Sequence, residues 1–166
     1  MNQDVSSLIA ALGSPEETKR AEAAERLSRL DPEEVRAAAL VLADACSDES
    51  EAVREAATGA LEEMGPPAID TLDGLVTLLA ATQADTGYWA ATLLGRLGGD
   101  AAAAVPALTA TLQSSPHQNV RQRAAWALGK IGPEARVAID ALRKAATEVD
   151  PRLARLASRA ISQIEP

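Results

Sequence analysis

The chain has 166 residues, of which 47% are hydrophobic and 24% charged, a composition typical of globular proteins that can bury a core. Aromatic residues make up only 2% and Phe is absent, so the core is expected to consist of Ala, Leu, Ile and Val packed closely between helices. The formal net charge of −8 argues against a general nucleic-acid binder, because phosphate contacts need a basic surface.

Features of membrane and secreted proteins are missing from the sequence. No run of about 18 apolar residues is present, so no membrane span is predicted. Residues 1–13 carry no basic residue before their apolar part, unlike a secretory signal. Cys46 is the single cysteine, which excludes an internal disulfide and fits a reducing compartment. We therefore expect a cytoplasmic protein without membrane contact.

One pattern recurs five times along the chain. Relative to reference positions 20, 54, 87, 121 and 154, which are 33 or 34 residues apart, Ala follows at plus three and aliphatic residues at plus seven and plus ten. These sets are Ala23, Leu27, Leu30; Ala57, Leu61, Met64; Ala90, Leu94, Leu97; Ala124, Leu128, Ile131; and Ala157, Ile161, Ile164. Spacings of three and four place each set on one face of an α-helix. A fixed period of this length predicts a repeat architecture.

Further helical segments lie between these amphipathic helices. They are predicted at residues 4–12, 32–46, 68–82, 101–112 and 135–147. Each repeat is therefore predicted to be a helical hairpin within a single domain, 1–166. The approximate repeat boundaries are 1–30, 31–64, 65–97, 98–131 and 132–166.

Helix boundaries are marked by capping residues, proline and glycine. A Ser or Asp that can cap a helix precedes Pro in four pairs: Ser14-Pro15, Asp31-Pro32, Ser115-Pro116 and Asp150-Pro151. Pro is favoured at the first helical position, which these pairs predict. Gly65, Gly98 and Gly132 follow helices where a left-handed terminating residue is expected.

The fourth repeat resembles a known family most closely. Val120-Arg121, Ala124-Ala125 and residues 127–133 are similar to the second helix of a bacterial HEAT-like repeat, the type also named after the phycobilisome lyases. The second repeat matches well, whereas the third has Thr86-Gly87 and the fifth Leu153-Ala154 where Val-Arg is expected.

This resemblance implies a fold but no chemistry. The implied fold is an all-α, armadillo-like, right-handed α-solenoid, with first helices on the convex side and second helices on the concave side. Most HEAT arrays are scaffolds, and a minority are enzymes such as bilin lyase subunits and DNA glycosylases, so a function taken from the fold rests on analogy.

Few residues offer catalytic chemistry. His117 is the only histidine and lies in a turn, where we expect a solvated residue rather than a base or ligand. Cys46 ends an alanine-rich helix and is expected to be a buried filler. Paired carboxylates such as Glu62-Glu63 are typical of first turns and solvated faces, and no glycine-rich phosphate loop occurs. We expect a protein that is not an enzyme and carries no metal or cofactor.

Three arginines begin second helices at matching positions: Arg20, Arg54 and Arg121. We expect each to pair with a neighbouring carboxylate or carbonyl and so to form a ladder between repeats. Direct contact with a ligand is the alternative.

A candidate binding face follows from the helix geometry. At 100° per residue, positions one, five and eight after the reference lie opposite the core positions and are expected to line the concave groove. Residues 1–83 contain 6 basic and 17 acidic residues, and residues 84–166 contain 10 basic and 7 acidic, so the groove is expected to run from acidic to basic. Candidate partner-binding residues on or beside this face are Glu55, Tyr88, Trp89, Thr92, Gln122, Trp126, Arg155 and Arg159.

The aromatic residues are the strongest candidates on this face. Tyr88 and Trp126 occupy outward positions and Trp89 lies on the flank between them, while Gly95 and Gly129 are expected to leave open volume beside the rings. Exposed Trp, Tyr and Arg with nearby space are typical of a binding hot spot. The alternative is that the rings fill gaps left by alanine.

Two functions remain open at this stage. The first is a non-enzymatic scaffold that binds a peptide or a partner helix on its concave face. The second is a HEAT-class enzyme or enzyme subunit, either bilin lyase-like or a base-excising glycosylase. A glycosylase would stack a flipped base in the aromatic groove and needs a basic surround.

Overall fold

The computed structural model describes residues 4–165, and within that range the regular structure is helical, with no β-strand. The chain divides by its internal contacts into two compact units, the first ending at Thr71 and the second beginning at Leu72. Within residues 4–165, no helix combines the length and apolar character needed to cross a bilayer.

The first unit contains two helical hairpins. Its helices are α1 (Val5–Leu12), α2 (Glu17–Ser28), α3 (Pro32–Val35), α4 (Ala39–Ala45) and α5 (Glu51–Glu63). A 3₁₀ turn, Arg36–Ala38, joins α3 to α4, and another follows at Ile69–Thr71. Helix α1 packs on α2, α4 packs on α5, and the second helices α2 and α5 pack side by side.

The second unit contains three helical hairpins of the same kind. Its helices are α6 (Leu72–Leu78), α7 (Ala84–Leu97), α8 (Val105–Ser114), α9 (Gln118–Ile131), α10 (Ile139–Ala145) and α11 (Pro151–Ile164). The second helices form one layer, in which α9 lies between α7 and α11. Helices α6, α8 and α10 each pack on the second helix of their own hairpin.

Apart from α1, which matches its predicted range to within one residue, the first helices of the hairpins are shorter than the sequence predicts. The segment predicted at 101–112 begins as a 3₁₀ stretch, Gly98–Ala104, and becomes α-helical only at Val105. Pro106 lies in the first turn of α8, where its missing N–H is tolerated, but it cannot sit inside a longer helix. A 3₁₀ stretch, Gly132–Ala138, likewise precedes α10.

The predicted core positions are confirmed. Twelve of the fifteen residues in the repeated sets are buried, including Leu61 and Leu128, which are both 0% exposed. Leu30, Leu97 and Ile161 are half-buried instead. Cys46 is 2% exposed, as expected for a small filler.

Aspartate and serine cap differently in this chain. Asp31 and Asp150 accept hydrogen bonds from the backbone N–H of Glu33 and Arg152, both at 3.0 Å, and Pro follows each at the start of the helix as predicted. Ser14 and Ser115 instead close a turn, and α2 and α9 begin three residues after them, later than predicted. In both cases the residue before the helix has extended backbone.

Left-handed glycines end two of the three helices for which they are predicted. Gly98 has φ of 60° and Gly132 has φ of 79°, conformations that L side chains rarely adopt. Gly65 does not adopt a positive φ, and α5 ends through the extended residue Met64.

The predicted arginine ladder exists at two of its three positions. Arg20 Nε donates to Asp48 Oδ2 at 2.7 Å, and Arg121 pairs through both Nη atoms with Glu148, so each arginine reaches the loop that joins the two helices of the next hairpin. Arg54 pairs with carbonyl oxygens, as the prediction allows, but these belong to Asp48 and Glu49, at 2.7 and 2.9 Å, in the loop of its own hairpin, so it does not link two repeats. The hydrogen bond from Arg20 lowers the pKa of Asp48 below its usual range.

Candidate functional site

Two aromatic rings in the second unit are held together by an arginine. The Arg123 guanidinium lies 4.4 Å from the ring centroid of Tyr88 and 5.1 Å from that of Trp126, and its Nη2 donates to the Tyr88 hydroxyl. Helix α7 supplies Tyr88, and α9 supplies Arg123 and Trp126. All three side chains are half-buried, so the stack is fixed in place yet reachable from solvent.

The stack forms one wall of a shallow depression of about 190 Å³. Helices α7, α9 and α11 contribute its lining residues, which are Tyr88, Asn119, Gln122, Arg123, Trp126, Arg152 and Leu156. The depression therefore lies on the face formed by the second helices of the second unit, called the second-helix face below. Three of the predicted residues, Tyr88, Gln122 and Trp126, meet there.

The expectation of open volume beside the rings is wrong. A Cβ on Gly95 would lie 2.9 Å from Cε3 of Trp126 and 3.0 Å from Cα of Ala127. A Cβ on Gly129 would lie 2.9 Å from Cα of Ala160. These glycines let neighbouring helices approach closely, and the Trp126 ring occupies the space over Gly95.

Trp89 and Thr92 are not available to a partner, contrary to the prediction. Trp89 is 7% exposed, packs edge-on against Tyr88 with ring centroids 5.7 Å apart, and lies beneath the Arg96 guanidinium. Thr92 is 5% exposed and its hydroxyl donates to the carbonyl oxygen of Tyr88 at 2.8 Å. Positions counted from a single helix place both residues outward and do not reveal this burial.

Gln122 is held by an aspartate at the edge of the depression. Its Nε2 donates to Asp150 Oδ2 at 2.6 Å, and Gln118 donates to the same oxygen at 2.6 Å. These two hydrogen bonds lower the pKa of Asp150, whose carboxylate therefore stays ionised at neutral pH. Gln122 is thus a positioned polar group that connects α9 to the cap of α11.

The remaining predicted residues are solvent-exposed. Arg155 and Arg159 lie on α11 in the second unit, and Glu55 lies on α5 in the first unit.

Four lining residues are absent from the sequence prediction: Asn119, Arg123, Arg152 and Leu156. They lie two residues before or after the reference positions 121 and 154. On a helix these positions fall within about 60° of position plus five, where Trp126 lies. A groove direction centred on Trp126, rather than midway between positions one and eight, would have included them.

His117 has a structural role in place of the predicted solvated one. Its ring is half-buried, and Nε2 lies 2.8 Å from the carbonyl oxygen of Thr82, in the loop before α7. This contact ties two successive hairpins of the second unit together. Among residues 4–165, no three His, Cys, Asp or Glu side chains are grouped as a metal site would require.

Comparisons with known proteins agree with this architecture. A family model for HEAT repeats matches residues 5–86 and 72–162. None of the curated proteins matches the sequence. Among solved structures, the chain is similar to an engineered protein at 25% identity, with a TM-score of 0.65 over 99% of this chain and 80% of the other.

Two further solved structures contain a binding partner. One is the complex of CpcE and CpcF of phycocyanin lyase from a Nostoc species, at 26% identity and a TM-score of 0.66 over 99% of this chain and 66% of that one. The other is a designed armadillo repeat protein in complex with the peptide (KR)4, at 18% identity and a TM-score of 0.66 over 96% and 81%. The predicted resemblance to HEAT-like repeats and the all-α solenoid class are confirmed.

Proposed function

The chain belongs to the HEAT repeat family, and we propose that it is a non-enzymatic interaction scaffold that holds a peptide or a partner helix on its second-helix face. The observation that carries this proposal is the Arg123-centred stack of Tyr88 and Trp126 beside a shallow depression. Trp, Tyr and Arg are the residues most enriched among those that dominate binding energy at interfaces.

The size of the depression favours recognition of a surface over enclosure of a small molecule. Its volume is about 190 Å³, whereas ligand pockets are commonly about 300–1,000 Å³. A cavity this small and open suits one or two side chains that project from a larger partner. Its lining of aromatic rings, guanidinium groups and amides suits contact and hydrogen bonding.

The similar structures support a scaffold in general terms. The designed armadillo protein is in complex with a peptide, and CpcE is in complex with CpcF. The (KR)4 peptide and CpcF are partners of those proteins and not of this chain. The likeness in fold supports only the general idea that this chain also binds a partner on its surface. A cytoplasmic location forms part of the proposal, because Cys46 is a buried free thiol.

Affinity capture followed by binding kinetics tests this proposal. A partner captured from lysate of the source cell should bind the Trp126→Ala protein more weakly by about 2 kcal/mol or more, because truncating a central interface Trp removes much of the contact. Val137→Ala is the matched control: it truncates an apolar side chain that is 80% exposed and lies outside the depression. Thermal melts must accompany the comparison, since Trp126 also packs on Gly95.

The proposal fails if the partner binds the Trp126→Ala and wild-type proteins equally. It also fails if both substitutions weaken binding to the same degree, because the second-helix face would then have no special part.

A second candidate function is supported by the 26% identity to the CpcE and CpcF lyase complex. In that case the chain would serve as a subunit of an enzyme that handles a bilin. Absorbance separates the two functions: the purified protein, incubated with a bilin, should take up colour that survives gel filtration only if this second candidate is correct.

A further inference from the structure

We infer that the partner presents an acidic segment to the depression, with a carboxylate between Arg123 and Arg152 and an apolar side chain against Trp126 and Leu156. This inference rests on the proposed function and names the chemistry of the partner.

The charge on the second-helix face is opposite to that of the whole chain. Helices α7, α9 and α11 together contain seven basic residues and one acidic residue, although the net charge of the chain is −8. The basic residues are Arg96, Arg121, Arg123, Lys130, Arg152, Arg155 and Arg159, and the acidic residue is Asp85 at the start of α7. Helices that share one layer thus concentrate positive charge, which favours an anionic partner.

Five of these cations lack a carboxylate partner within residues 4–165. They are Arg123, Lys130, Arg152, Arg155 and Arg159, none of which takes part in an ion pair there. On other surfaces of the protein, arginines do meet carboxylates: Arg29 pairs with Glu25 at 2.6 Å, and Arg36 pairs with Glu33 at 2.8 Å. The five cations on α9 and α11 are therefore available to a charge brought by a partner.

The groups around the depression suit a carboxylate beside an apolar side chain. Arg123 is oriented by its two rings, and only its hydrogen bond to Tyr88 engages the guanidinium among the described residues. Its other N–H groups, with those of Arg152, offer the paired donors that carboxylates accept. Trp126 and Leu156 add apolar surface within the same lining.

Asp150 does not take the place of the partner's carboxylate. Its oxygens accept hydrogen bonds from Gln118, Gln122 and the backbone N–H of Arg152. The carboxylate is therefore used in capping α11 and fixing the amides. The lining itself carries two guanidinium groups and no carboxylate, so its charge is positive.

An acidic peptide fits this site better than a nucleic acid does. Bases stack on open aromatic faces, but Arg123 and Lys130 already lie over the Trp126 ring, at 5.1 and 5.8 Å from its centroid. A polyanion would also meet a chain of net charge −8, whereas a short acidic segment needs only the local cations.

Selection of dodecapeptides from a random phage-displayed library on the immobilised full chain tests the inference. Enriched sequences should combine Asp or Glu with a large apolar residue. The best of these peptides, synthesised with a fluorescent label, should lose at least about tenfold in affinity with Arg152→Gln, and likewise with Arg123→Gln, because each removes charge-assisted hydrogen bonds. Arg152 has an exposed side chain, so its variant should fold as the wild type does.

A double variant with the same kind of charge loss serves as control. Arg143→Gln together with Lys144→Gln removes two exposed cations from α10, outside the second-helix face, and affinity should stay within about twofold of wild type. Arg123→Lys keeps the charge but loses the planar fork, so it should bind more weakly than wild type if the carboxylate is held by paired donors.

The possible outcomes separate this inference from the proposed function. Enrichment of basic or neutral peptides that depend on Trp126 would overturn the acidic partner and leave the scaffold standing. If no sequence is enriched over selection on the Trp126→Ala protein, both proposals fall. Tighter binding of oligothymidylate of the same length than of any selected peptide would overturn the inference in favour of a nucleic acid.

Discussion

Replacing Gly129 by alanine should destabilise the protein, although alanine is the better helix former. Gly129 lies in α9, and alanine in a helix is favoured over glycine by about 0.5–1 kcal/mol. At this site, however, the added Cβ would lie 2.5 Å from Gln163 Oε1 and 2.9 Å from Cα of Ala160. The amide of Gln163 can turn aside, but the backbone of α11 cannot.

The magnitude follows from these two opposing effects. Forcing a methyl group against a packed backbone costs about 1–3 kcal/mol, so the net destabilisation should be up to about 2.5 kcal/mol. Gly59→Ala in α5 is the matched helix control: its added Cβ would meet no neighbouring atom within 4 Å, and it should stabilise the protein by about 0.5–1 kcal/mol. Gly99→Ala, in the second unit, meets Glu134 only at 3.7 Å and should stay within about 0.5 kcal/mol of wild type.

Urea unfolding followed by far-ultraviolet circular dichroism measures all three variants. The dependence of the unfolding free energy on urea concentration must be compared among the variants as well as the midpoint of the urea transition, because two compact units need not unfold in one transition. Stabilisation of similar size by Gly129→Ala and Gly59→Ala would refute the close approach of α9 and α11. The glycine would then be dispensable, and the packing argument for the second-helix face would lose its basis.

Three further predictions concern the core, acid stability and association. Leu128→Ala removes a fully buried side chain and should cost about 2–5 kcal/mol in the free energy of unfolding, measured by urea titration; a loss below about 1 kcal/mol would contradict the assigned core face. Arg20 lowers the pKa of Asp48, so this ion pair stabilises the fold above the unfolded-state pKa of about 3.9, and its contribution is lost as the pH falls through the lower folded-state pKa. Asp48→Asn should therefore flatten the loss of stability below about pH 4. An unchanged dependence of stability on pH would exclude this role. Arg155→Glu with Arg159→Glu should mainly slow association with a captured partner, and the wild-type on-rate should fall with added salt; an effect confined to the off-rate would argue against electrostatic steering.

The helical repeat could be predicted from the sequence because it depends on the spacing of apolar residues along the chain. Apolar residues three and four apart must share a helix face whatever the neighbours are, so the buried positions of the second helices, such as Leu61 and Leu128, follow directly. The aspartate caps at Asp31 and Asp150 are equally local, since each involves a side chain and a backbone N–H two residues on.

The matching positions of Arg20 and Arg121 also predicted their pairing with neighbouring carboxylates, because a repeated side chain meets a repeated environment. The first helices were less predictable, since their 3₁₀ beginnings depend on how each loop is packed.

Tertiary packing decided which side chains line the depression. A helical wheel treats each helix as if it were alone, so it assigns Thr92 and Gly95 to an open groove. Because Gly95 has no side chain, α9 comes close enough to α7 for Trp126 to lie on Gly95, and Trp89 and Thr92 are buried as well. That close approach leaves Arg123 between the rings of Tyr88 and Trp126 and brings α11 beside them. The sequence alone determined the repeat period and the buried face of each second helix, whereas the distance between neighbouring helices decided which side chains reach the surface and line the depression.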